Sequence, residues 1–369
     1  MTLELQKRTL LGPGPSDVHP RILEAVGKPT IGHLDPQFVN LMEQIKSLLK
    51  YAFKTKNEMT YTVSAPGSAG METCFANLVS PGDKVLVCVN GVFGKRMLEN
   101  VVRTGGKPVI LEFPWGKSVD PQKVEEALRK DPEIRILSFV HGETSTGVLS
   151  DAETLAKIAQ KYDCLTIVDT VTSFVGTPLK VDEWGLDAVY TGSQKCLSCI
   201  PGLSPVTFSE KALEKLDKRK TPVQSWFLDI SLIKSYWGTG GKRAYHHTAP
   251  VNSLYGLYES LSILKEEGLE NCWERHASNY RTLKEGLDKL GFEYLVDEKE
   301  RTPQLNAVIV PENIDEAKIR ERLLNEFNLE IGAGLGPLAG KVWRIGLMGY
   351  SSRKENIDFL LECFRKVLG

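Results

Sequence analysis

The chain has 369 residues, of which 41% are hydrophobic and 25% charged, and its formal net charge is −1. That length buries a large core and suggests two domains, or one large domain with a smaller companion. A charge near zero gives neither nucleic acid nor an anionic membrane an electrostatic hold, so small solutes are the expected partners.

No run of the sequence nears the roughly 18 consecutive apolar residues of a membrane span. The first residues, MTLELQKRTLLGPGPS, lack the apolar core of a secretory signal, so the expectation is a cytoplasmic protein. Seven cysteines, an odd number scattered along the chain, read as reduced thiols rather than a disulfide framework.

From about residue 57, short β-rich runs alternate with helical patterns: MTYTVS with AGMETCFANLVS, KVLVCVN with FGKRMLENVVRTGG, KPVILEF with PQKVEEALRKD. IRILSFV and CLTIVDTV continue the series, with ETLAKIAQKY between them and DAVYTGSQK after. Strands of this length alternating with helices predict an α/β fold with a mainly parallel sheet covered on both faces. After about residue 250 the pattern changes to one long helical stretch, then a smaller α+β unit containing NAVIVP, DEAKIRERLLNEF, KVWRIGLMG and a closing helix. The expected division is a large domain over 1–267, including the N-terminal segment, and a small domain over 268–369.

Open parallel sheets collect ligands at the carboxyl ends of their strands. Polar residues sit there in this sequence: Gly67 and Ser68 after TYTV, Ser145 after ILSFV, Asp169 ending LTIV, and Lys195 after AVYTG. The loop SAPGSAGMETCF leads from a strand into a helix, so its free backbone N–H groups suit an anion, with Gly67 and Gly70 permitting close approach. It is neither G-x-G-x-x-G nor a Walker A loop, which favours a phosphate monoester over a dinucleotide or nucleoside triphosphate. By itself it is equally an ordinary glycine turn before a helix.

Asp169 ends an apolar strand, and a carboxylate there must be paired or hydrogen-bonded. A lysine held in the same region can lose its proton and act as an amine nucleophile. Asp169, Lys195 and a phosphate cradle are the groups pyridoxal phosphate requires, although a structural Asp–Lys ion pair explains the first two as well. Beside Lys195 stands a C-x-x-C pair, Cys196 and Cys199, with no second ligand pair to complete a zinc site. Its expected role is packing. His246 and His247 likewise lack a third ligand at suitable spacing, so no metal is assigned.

LLGPGPS, HGETSTGV, IVDTVTS, YTGSQK with PGLSPV, YHHTAPV and GKVWRIGLMG, in that order, resemble the class V aminotransferases of pyridoxal-phosphate fold type I. Within that family they are most like the alanine–glyoxylate and serine–pyruvate aminotransferase branch, and the likeness runs from Leu10 to the last helix. The resemblance implies a seven-stranded type of sheet and a pyridoxal phosphate cofactor joined to Lys195, which also moves the proton at the substrate Cα. It implies Asp169 on the pyridine nitrogen, Val171 against the ring, Gln194 at the ring edge or phosphate, and Ser145 near the cofactor O3′ or phosphate. Phe93 stands where relatives often carry a stacking tryptophan, a smaller aromatic face. Pro66-Gly67-Ser68 replaces the branch's Ser-Gly-His, which leaves more of the phosphate contact to the backbone. Arg344 would bind the substrate carboxylate, and Tyr245 and Thr248 would reach the phosphate of a neighbouring subunit in a homodimer.

The implied reaction moves the amino group of a small amino acid, alanine or serine, to a small 2-oxo acid, glyoxylate or pyruvate. Alternatives that share the motifs are a transaminase for a bulkier kynurenine-type or ureidoglycine donor, a cysteine-desulfurase-like lyase, and a non-catalytic relative.

Overall fold

The structure, a computed structural model, describes residues 4–238 and 243–369. Its centre is a seven-stranded sheet in the order Met59–Val63, Ser204–Phe208, Ala188–Tyr190, Leu165–Asp169, Ile134–Val140, Lys84–Val89, Lys107–Glu112. Six strands run parallel, and Ser204–Phe208 runs antiparallel to both its neighbours. The inner strands are near-continuous apolar runs because helices cover both faces. Val85, Leu86, Val87, Ile136, Leu137, Ile167, Val168 and Val189 have no measurable exposure.

The sequence pattern announces six of these strands. The seventh follows Pro201-Gly202 and contains Pro205, which has no N–H for a ladder and masks the strand pattern. The Pro205 carbonyl still accepts from Thr191 N–H at 2.9 Å, so the strand holds its place beside the segment that carries Lys195.

Helix starts follow local chemistry. Asp35 and Asp120 cap the helices Pro36–Phe53 and Pro121–Lys130 by accepting from Gln37 N–H and Gln122 N–H. In each, proline fills the first helical position, where a missing N–H costs nothing.

The long helical stretch beginning at Val251 is two helices, Val251–Glu267 and Leu269–Lys289, divided at Gly268. Gly268 has φ +85°, which only glycine adopts readily, and this ends the first helix. Beyond it a second core forms around Trp343, Phe292 and Phe364, whose rings lie 5.4–5.6 Å apart. The three-stranded sheet Leu305–Ile309, Val342–Gly346, Gly332–Ala333 backs this core.

Part of the N-terminal segment packs with the C-terminal unit. Thr9–Leu10 pairs in parallel with Leu329–Glu330, and Leu11 is buried in the Trp343 core. A two-residue strand gives no periodic signal, and its partner lies more than 300 residues away in sequence.

Candidate active site

A cavity of about 180 Å³ opens at the carboxyl ends of the central strands. Seven of the residues singled out from the sequence line it: Gly67, Ser68, Phe93, Asp169, Val171, Gln194 and Lys195. Strand register explains part of this convergence. Asp169 pairs with Tyr190 across adjacent parallel strands, so their side chains share a face and Tyr190 Oη donates to Asp169 Oδ2 at 2.8 Å. Val171 N–H donates to Oδ1, also at 2.8 Å.

Asp169 is 2% exposed and has no cation within salt-bridge distance among the described residues. Burial raises its pKa to about 7 against the pull of its two donors. Lys195, half-buried in the lining of the same cavity, has its pKa lowered to about 8, first by burial and then by the Arg344 charge. The two are not an ion pair, so a structural pairing does not account for them. Lys195 Nζ instead donates to the Pro13 carbonyl. Ser16 steadies the same turn, donating from N to Gln194 O at 2.9 Å and from Oγ to Lys195 O at 2.8 Å.

Two helix N-termini face the cavity, and they differ. The helix Val92–Arg103 is already filled: Glu143, fully buried, accepts from Phe93 N–H at 3.1 Å, and Ser145 Oγ accepts from Val92 N–H at 3.0 Å. The helix Gly67–Leu78 begins at Pro66 with no side-chain cap; Ala69 N–H donates to Pro66 O at 2.7 Å, which leaves the N–H groups of Gly67 and Ser68 for an anion. A Cβ on Gly67 would stand 3.3 Å from Val171 Cγ2, which is why the chain can pass close to the cavity wall here.

Ser145 stands beside the cavity rather than in its lining. Its hydroxyl donates to Glu143 Oε1 at 2.6 Å and accepts from Val92, and it does not line the cavity; its neighbour Thr144 does. Tyr245 and Thr248 are exposed, 3.3 Å apart through their hydroxyls, and do not line this cavity either. Arg344 stands just behind the wall, 8% exposed, with Nη1 donating to Thr144 O at 3.2 Å and Nε to Ala333 O at 2.6 Å. Burial lowers its pKa to about 10, and it remains a cation.

Sequence reasoning passed over Glu143, Arg96, Pro13 and Gly14. Arg96 lines the cavity with its guanidinium 4.8 Å from the Phe93 ring, an i, i+3 spacing that was available as a signal. The C-x-x-C thiols are buried, with both pKa values pushed up to about 12 by burial, and neither lines this cavity. A thiol in that state is a poor nucleophile, which removes the basis for a cysteine-lyase reading. His246 and His247 contact each other at 2.8 Å, and His247 reaches Ser64 Oγ at 2.7 Å.

The residues fit pyridoxal phosphate on their own chemistry. The open helix end suits the phosphate, Phe93 and Val171 offer faces for the ring, and the unpaired Asp169 carboxyl awaits a ring nitrogen. Gln194 Oε1 is buried with no hydrogen-bond partner among the described residues.

Comparison with known proteins agrees. The Aminotransferase class-V family model matches residues 21–360. The chain is 41% identical over 368 residues to the alanine–glyoxylate aminotransferase of Rattus norvegicus, covering 99% of this chain and 89% of the relative. The solved alanine–glyoxylate aminotransferase of Nostoc sp. superposes with a TM-score of 0.98 at 45% identity, covering 100% of this chain and 97% of that one. The ureidoglycine–glyoxylate aminotransferase of Bacillus subtilis follows with a TM-score of 0.97 at 37% identity, covering 100% and 94%. The chain belongs to the class V aminotransferases and is a pyridoxal-phosphate-dependent transaminase.

Proposed function

We propose that the enzyme transfers the amino group of alanine or serine to glyoxylate or pyruvate, from a shared active site in a homodimer. The observation that carries the reading is one cavity lined by both Asp169 and Lys195, not ion-paired with each other, beside the uncapped N-terminus at Gly67. Bound pyridoxal phosphate supplies an aldehyde for the amino group and a ring that takes up the electron pair left at Cα.

The chain's residues do the rest. Arg344 offers a planar fork to the substrate carboxylate and so fixes which Cα bond stands across the ring. Lys195, an amine with a lowered pKa, takes the proton from Cα and returns one to the carbon of the cofactor's former aldehyde, across the nitrogen from Cα. Asp169 holds a proton at the ring nitrogen, and Tyr190 and Val171 hold Asp169. Phe93 and Val171 exclude water from the ring faces. Tyr245 and Thr248 are exposed and lie outside their own chain's cavity, which is compatible with their reaching the phosphate of a second subunit in the proposed homodimer.

The relatives named above divide between alanine and ureidoglycine donors, and identity is higher to the alanine enzymes. A cytoplasmic setting is part of the proposal, supported by seven unpaired buried thiols. Comparing kcat/KM for alanine, serine and ureidoglycine with glyoxylate and pyruvate tests the assignment; a ureidoglycine preference of tenfold or more would reverse it.

A further inference from the structure

A second cavity, of about 500 Å³, lies at the seam between the two cores, behind the turn that carries Lys195. Its volume is in the range of small-molecule sites. Ile22, Val175, Leu197, Ile263 and Leu264 make one wall apolar. The polar part of the lining includes His19, Glu266, Glu267, Arg275, Tyr350 and Arg353.

The charges there are unequally satisfied. Arg275 is closed off, gripping Glu267 at 2.5 and 3.0 Å and donating to the Gly349 and Ser352 carbonyls. Glu266 is taken by Arg21 at 2.7 Å. Arg353 has no such closure. The carboxylate of Asp17 stands 4.0 Å away, and Arg353 Nε is buried with no hydrogen-bond partner among the described residues. The guanidinium lies over the Tyr350 ring at 4.0 Å, and the Arg353 side chain as a whole is 36% exposed although Nε is covered.

A cation with an unmet buried donor in the lining of a chamber with an apolar wall selects an anion with an apolar body. We propose that this cavity is a binding site, separate from the active site, for a small alkyl or aryl carboxylate. The carboxylate sits on Arg353 and the body between Ile22, Leu197, Ile263 and Leu264. Such a ligand touches the Trp343 unit through Arg353 and the sheet unit through Leu264, so it bridges the two and stabilises the folded holoenzyme.

The test is titration calorimetry of the holoenzyme with hexanoate and 4-phenylbutyrate, with 4-phenylbutylamine as the cationic control. Four proteins are compared: wild type, Arg344→Gln, Arg353→Gln and Ile263→Trp, each checked for folding by its melting temperature. The proposal expects saturable binding of the carboxylates but not the amine, retained in Arg344→Gln. It expects binding tenfold or more weaker in Arg353→Gln and abolished in Ile263→Trp, which fills the chamber from a half-buried position. No saturable binding to wild type, equal binding of the amine, binding unchanged in both cavity variants, or loss in Arg344→Gln would each overturn it.

Discussion

Gly14 and Lys195 occupy one space: a Cβ on Gly14 would lie 2.5 Å from the lysine amine and 2.6 Å from Cδ. Gly14 also has φ +103°, a conformation L side chains rarely adopt. The N-terminal segment therefore acts as the back wall of the catalytic lysine. Gly14→Ala is expected to displace Lys195 and lower kcat/KM by tenfold or more. Strain at the residue costs about 1 kcal/mol or more of stability. Steady-state kinetics beside thermal melting checks this; unchanged kinetics would mean the lysine is positioned without the segment.

Asp169 sets a pH dependence in the cofactor-free protein. Between its ordinary value of 3.8 and the folded value of about 7, the folded chain keeps a proton that the unfolded chain has lost. Stability therefore falls as pH rises from about 4 to about 7, by up to a few kcal/mol. Asp169→Asn removes that slope and is expected to melt above wild type at pH 7.5 while losing at least about 100-fold in kcat. Melting curves of both apoproteins at pH 5 and pH 7.5 read the first effect.

Arg344→Lys keeps the charge and loses the planar fork. The expected result is a drop in kcat/KM of about 10- to 100-fold, the range of one charge-assisted hydrogen bond. Melting temperature should change little, because among the described residues Nε and Nη1 bond only to the carbonyls of Ala333 and Thr144. A wild-type kcat/KM would move the carboxylate site elsewhere.

If Tyr245 serves the neighbouring subunit, Lys195→Ala and Tyr245→Ala homodimers are both impaired for different reasons. Mixing and re-annealing them leaves one intact site in each heterodimer and restores up to about a quarter of wild-type activity. If Tyr245 serves its own subunit, no heterodimer has an intact site and mixing restores nothing.

The sheet and the cavity were readable wherever a short apolar run ended in a polar residue. LTIVD shows both a buried strand and the carboxylate at its end, and AVYTGSQK shows the lysine the same way. Features built from distant segments were not readable. Pro13 and Gly14 meet Lys195 across some 180 residues, and Glu143 fills a helix end that begins 50 residues earlier. The direction of the Ser145 hydroxyl was not readable either, because the strand pattern sets its height at the sheet edge while the Glu143 carboxylate decides which way it turns. Tyr245 could be marked from the sequence as active-site chemistry, yet its own chain does not bring it to the cavity.

The most direct measurement is the visible absorption spectrum of the purified holoenzyme, before and after L-alanine without an acceptor, and again after glyoxylate. The expected result is a yellow band that bleaches with alanine and returns with glyoxylate, and in Lys195→Ala alanine does not bleach the bound cofactor. A protein that stays colourless when supplied with pyridoxal phosphate, or a band that alanine leaves untouched, would contradict it.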